Sequence, residues 1–116
     1  MSKLLEERDY YKPFDYPWAF EFYKKQQQMH WLPEEVALQD DIKDYSQKLS
    51  EGERKLIDNI FKFFTQADVD VCCGYAKHYL PTFKVPEIRM MLVSYAAMEA
   101  VHQEAYSLLL ETLGKS

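Results

Sequence analysis

Glu99 and His102 stand three residues apart in the stretch Pro86 to Gly114, PEIRMMLVSYAAMEAVHQEAYSLLLETLG. A carboxylate and an imidazole one helical turn apart can hold a transition-metal ion, the hard oxygen tolerating a change of oxidation state and the nitrogen tuning it. Ile88, Leu92, Tyr95, Glu99, His102, Tyr106, Leu109 and Leu113 follow one another at steps of four and three, so all eight share one stripe of a 3.6-residue helix. The acid and the imidazole therefore interrupt an apolar seam. Burying a neutral polar group without a partner costs about 2–7 kcal/mol, and a charged one more, so a bound metal ion is expected to offset them.

A second acid repeats the pattern. In the preceding helical stretch Ile57, Phe61, Phe64, Asp68, Val71, Tyr75 and His78 keep the same rhythm, with Asp68 in the middle of the seam. Asp68 and Glu99 are equidistant in sequence from the centre of the turn between the two stretches, and at ~1.5 Å rise per residue they fall at the same height on facing stripes. A Glu-x-x-His pair joined by a carboxylate from a neighbouring helix is half of a dinuclear metal site in a four-helix bundle. Plainer readings remain for each residue taken alone. Asp68 could pair with an Arg or Lys, His102 could be a hydrogen-bonded core histidine, and Tyr106 could be core packing. Trp18 and Trp31 read as aromatic anchors, and His30 and His78 as surface or boundary residues. Asp70 turns about 200° from Asp68 and Glu104 lies about 140° off its stripe, so neither belongs to the site.

The elements that must position these residues are all helical, and nothing alternates with period two for long. Residues 1–14 read as an extended, Tyr-rich arm with a Lys-Pro break. A peripheral helix is expected over 15–31, opened by Pro17, closed by Pro33 and turning Trp18, Phe22 and Met29 inward. Residues 33–50 form a connector with a short turn over Ile42 to Leu49. Ser50 and Glu53 form a capping-box pattern that opens a long helix over 51–80, closed by Pro81. The short link to Val85 makes the next helix, 86–113, its antiparallel partner.

The 116 residues suit one domain or part of one. A net charge of −5 with interspersed signs gives no footprint for nucleic acid. No run approaches the ~18 apolar residues of a membrane span, and the start is too acidic and aromatic for a signal peptide, so a cytoplasmic protein is expected. Cys72 and Cys73 are adjacent, which fits neither a disulfide framework nor a zinc motif, and they read as core or boundary thiols.

The segments YPWAFEFYKKQQQMHWLPEEV, FFTQADVDV and VPEIRMMLVSYAAMEAVHQEAYSLLLETLG resemble the small, radical-generating (beta) subunit of class I ribonucleotide reductase. The family pattern is Trp before Pro-Glu-Glu-Val, then an Asp ligand, then Glu-x-x-His with Tyr four residues beyond. Trp31, Asp68, Glu99, His102 and Tyr106 fill it in order. The resemblance implies a ferritin-like helical bundle holding dinuclear iron, manganese or a mixed iron/manganese pair. In it Asp68 and His102 would bind the first metal and Glu99 would bridge both. Tyr106 would become the stable radical, and Trp31 would lie on the route to the large catalytic (alpha) subunit, where ribonucleotides are reduced. The family is much longer, and its second half supplies the second-metal ligands, which this sequence lacks. The expectation is an incomplete bundle, the amino-terminal half, inactive alone and joined by a complementary carboxy-terminal half within a homo-oligomer. Two rivals stand beside it: a self-complementing homodimeric di-metal carboxylate module for metal binding or oxidase chemistry, and a metal-free helical interaction fragment.

Overall fold

The computed structural model describes residues 3–114. Among them there are no strands, and none of their helices is long and apolar enough to cross a membrane. The order is α1 (Pro17–Gln28), a 3-10 turn (Pro33–Glu35), α2 (Gln39–Gln47) and α3 (Glu51–Gly74). A π turn (Tyr75–Tyr79), α4 (Leu80–Thr82) and α5 (Pro86–Thr112) follow. The chain divides into two compact units, residues 3–30 with 70–99 and residues 31–69 with 100–114. Both α3 and α5 run unbroken through the points of division.

In the first unit Ala19, Val85, Ile88 and Leu92 form the buried core, with Leu4, Tyr16, Tyr75, Leu80, Phe83 and Met91 packed around it. Burial of each large aliphatic residue there is worth about 1.5–3 kcal/mol. Pro17 starts α1 with φ already set, and the Tyr16 N–H donates to Glu87 Oε2 at 2.9 Å, so a distant acid does the work of a cap. The helix ends at Gln28 and not at Trp31. Leu32, which precedes Pro33, is held extended at φ −111°, ψ 144°, as the proline ring demands, and the backbone has already left the helix before it. The inward face also differs from expectation. Trp18, Phe22 and Met29 are 46%, 44% and 60% exposed, whereas Ala19 is fully buried. The small methyl of Ala19 sits in the core, while the Trp18 and Phe22 rings stay exposed and meet each other edge to face at 6.5 Å.

The arm is fastened by Arg8. Its guanidinium donates to the carbonyls of Tyr10, Tyr11 and Pro13 and to Asp15, and it forms an ion pair with the fully buried Glu87 in the first turn of α5. Burial works to raise the Glu87 carboxyl pKa, but the N–H of Tyr16, the residue's own backbone and Arg8 prevail and hold it below its ordinary value.

In the second unit the capping box forms as expected, with the Ser50 N–H donating to Glu53 Oε1 at 2.8 Å and the Glu53 N–H to Ser50 Oγ at 3.2 Å. Tyr45 donates its hydroxyl to the buried Asp58 carboxylate, and Arg54 donates to the carbonyls of Tyr45 and Ser46 at the end of α2. This ties the connector to α3. Pro81 does not end the helical trace, which continues to Thr82 through the widened turn at Tyr75–Tyr79. A proline lacks the N–H and crowds the carbonyl four residues back, and a π turn just before it makes room.

Pairing of α3 with α5 is antiparallel within each unit. In the first, Tyr75 meets Tyr95 and Cys72 donates to the Ala96 carbonyl. In the second, Gln103 meets Asp68, and Tyr106 meets Phe64 and Phe61. On the α3 stripe Ile57, Phe61, Asp68 and Tyr75 are half-buried, but Phe64, Val71 and His78 are exposed. The α5 stripe is buried or half-buried throughout.

Candidate metal centre

Helix α5 presents Glu99 and His102 on one face, and α3 brings Asp68 to them. One ligand atom from each of the three lies within 4.8 Å of the others, and all three residues are half-buried. Gln103 Nε2 donates to the Asp68 carbonyl at 3.3 Å, which fixes α3 against α5 at that turn. Oδ2 of Asp68 is buried with no hydrogen-bond partner. A carboxylate oxygen in that position costs roughly 1–3 kcal/mol or more. The donor set of two carboxylates and an imidazole, with an orphaned oxygen among them, fits a divalent transition metal.

Aromatic side chains surround the cluster. The Trp31 ring lies 6.4 Å from the His102 ring, tilted by 36°. Tyr106, one turn beyond His102, stacks on Phe64 at 5.7 Å and 23° and lies 5.9 Å from Phe61 at 30°. A cavity of about 150 Å³ opens beside Tyr106 between Trp31, Pro33, Val36, Leu38 and Leu109, apolar and large enough for a benzene-sized group. On the other side of Glu99, burial pushes the Tyr75 phenol up, and the charge of Glu99 adds to this, so Tyr75 stays neutral.

Of the residues singled out in the sequence, the structure brings Asp68, Glu99 and His102 together and sets Trp31 and Tyr106 beside His102 and the two phenylalanines. Glu104, Asp70, His30 and His78 are exposed and stand apart from the cluster. Cys72 is half-buried and Cys73 exposed, both as free thiols. Sequence reasoning missed Gln103, although its place four residues after Glu99 puts it on the same side of α5. It also missed Phe64 as a partner of Tyr106, which only the helix pairing reveals.

The family profile described as ribonucleotide reductase, small chain, matches residues 8–116. The protein belongs to the ribonucleotide reductase small-chain family. It is 50% identical over 111 residues to the probable ribonucleoside-diphosphate reductase small subunit of Invertebrate iridescent virus 6, spanning 96% of this sequence and 31% of that protein. It is 36% identical over 100 residues to the ribonucleoside-diphosphate reductase small subunit of Dictyostelium discoideum, spanning 86% and 30%. The sequence thus spans about a third of the length of these relatives. A ribonucleotide reductase homodimer from Saccharomyces cerevisiae shares the fold, with a TM-score of 0.85 at 23% identity over 97% of this protein and 37% of that one. The all-α expectation and the resemblance to the small-chain family both hold.

Proposed function

We propose that this protein forms part of the radical-generating small subunit of ribonucleoside-diphosphate reductase and contributes one half of its dinuclear metal centre. The observation that carries this reading is the convergence of Asp68, Glu99 and His102 around a buried carboxylate oxygen that has no protein donor. Asp68 and His102 would hold the first metal, and Glu99 would be the carboxylate shared with the second. The remaining ligands come from protein outside this sequence, in keeping with the share of its relatives that it spans.

When bound, the iron or manganese pair supplies the oxidising power, with oxygen as the terminal oxidant. The protein's own residues do the rest. Tyr106 would be the residue oxidised to the radical, its electron and phenolic proton passing to that oxidising centre. Phe61 and Phe64 pack against its ring on one side, and an apolar cavity lies on the other. Trp31, against the His102 ring, is the first aromatic step of the route by which the oxidising equivalent passes to a large catalytic subunit. There it starts reduction of a ribonucleotide to a deoxyribonucleotide. The working assembly is a cytoplasmic homo-oligomer of the completed small subunit with that partner.

The test combines the protein with a complementary carboxy-terminal segment carrying a second Glu-x-x-His, Fe(II) or Mn(II), and oxygen. A tyrosyl radical signal that disappears in Tyr106→Phe, with metal content lost in Glu99→Ala, is the expected result. A signal that persists in Tyr106→Phe removes Tyr106 from its role, and no metal uptake under either ion overturns the whole reading.

A further inference from the structure

Phe61 and Phe64 lie three residues apart on α3 and present adjacent rings on one side of that helix. Both meet the ring of Tyr106, Phe64 in a stacked arrangement at 5.7 Å and 23° and Phe61 at 5.9 Å and 30°. These separations lie within the range where aromatic pairs attract beyond their buried area. Tyr106 has no other ring contact among the described residues, and the cavity of about 150 Å³ leaves space on its cavity-facing side. The ring contacts that bear on the rotation of Tyr106 about Cβ–Cγ thus come from α3.

We infer that Phe64, supported by Phe61, is a positioning residue that fixes the ring orientation of Tyr106. This deepens the function proposed above and rests on it for its spectroscopic consequence. In a phenoxyl radical, unpaired spin on the ring carbon that bears Cβ couples to the two Cβ hydrogens according to their angle to the ring plane. Fixing that angle fixes the hyperfine pattern. A ring released from Phe64 adopts another angle, or several, while the chemical identity of the radical stays the same.

Two measurements separate failure of the inference from failure of the function. In the metal-free protein, 3-fluorotyrosine placed at position 106 should give a fluorine resonance displaced by the stacked ring. Phe64→Leu, which keeps bulk and helix propensity without a ring, should move it toward the free amino-acid position, and Phe64→Trp should keep it displaced. A resonance that does not move in Phe64→Leu overturns the stacking. In the metal-loaded, complemented protein, Phe64→Leu should change the Cβ-hydrogen splitting of the radical signal, and Phe64→Trp should preserve it. A wild-type radical with the same splitting in Phe64→Leu overturns the positioning role. Absence of a radical in the wild-type protein would overturn the proposed function alone, while a fluorine shift that responds to Phe64→Leu would still support Phe64 as the residue that orients Tyr106.

Discussion

Replacing Arg8 by methionine keeps the aliphatic stem of the side chain and removes the guanidinium, whose atoms are only 6% exposed and pair with a Glu87 side chain that is 0% exposed. The carbonyls of Tyr10, Tyr11 and Pro13 lie in the exposed arm and can turn to water. Glu87 cannot, and it is left with the N–H groups of Tyr16 and of its own backbone. Breaking one side of a buried pair in this way costs about 3–5 kcal/mol, roughly 10–20 °C in Tm for a protein of this size. Out of a total of about 5–15 kcal/mol this is a large fraction. Urea titration followed by circular dichroism at pH 7 measures it directly. Arg8→Met combined with Glu87→Met removes both charges and should recover more than about 1 kcal/mol of the loss. The acid limb carries a second signature. In the wild type the folded Glu87 carboxyl lies below its ordinary 4.5, so its contribution is complete above that value and is lost as pH falls through the lower folded one. In Arg8→Met the lowering by Arg8 is gone, so this loss on the acid limb should shrink. A loss below about 1 kcal/mol for Arg8→Met, or a double variant no more stable than the single one, would refute the view of Arg8 as the fastening of the arm.

Ser50→Ala removes the hydroxyl that accepts from Glu53 N–H at the start of α3 and should cost about 0.5–2 kcal/mol in the same titration, with no effect on metal content. Asp68→Leu should act with opposite signs in two buffers. Without metal it removes a buried carboxylate oxygen that has no partner and should raise stability by about 1 kcal/mol or more. With Mn(II) present it should abolish the metal-dependent rise in Tm expected of the wild type. A destabilised Asp68→Leu in metal-free buffer would mean that the carboxylate is satisfied within the protein.

The helical fold and the convergence of Asp68, Glu99 and His102 were legible because both rest on periodicity. Steps of three and four placed Asp68, Glu99 and His102 on two stripes, and one short link made those stripes face each other. The capping box at Ser50 and Glu53 was legible for a related reason, since both partners lie within one turn. What periodicity could not supply was depth. Phe64 and Val71 keep the rhythm of the seam yet stay exposed, and on α1 the buried position is Ala19, the smallest residue of its face, beside aromatic rings that hydropathy would have ranked first. Glu87 illustrates the opposite error. An acid in the first turn of a helix is expected to favour the dipole from solvent, and nothing near it in sequence announces Arg8, seventy-nine residues away.

The same reasoning explains why the site was readable when the arm was not. An interior carboxylate and imidazole break the local rule for an apolar stripe, and such a break stands out against neighbours that obey it. Arg8 breaks no rule, because a polar residue in a polar arm is what solvent exposure would give. A long-range ion pair is written in two places that each look ordinary. The candidate metal half-site is written as an exception in a regular helix, and Asp68 Oδ2 stays in the folded protein as an unmatched acceptor. Local conflict of this kind persists where binding offsets its cost, so the unmatched Asp68 oxygen is a point where a bound cation would have much to contribute.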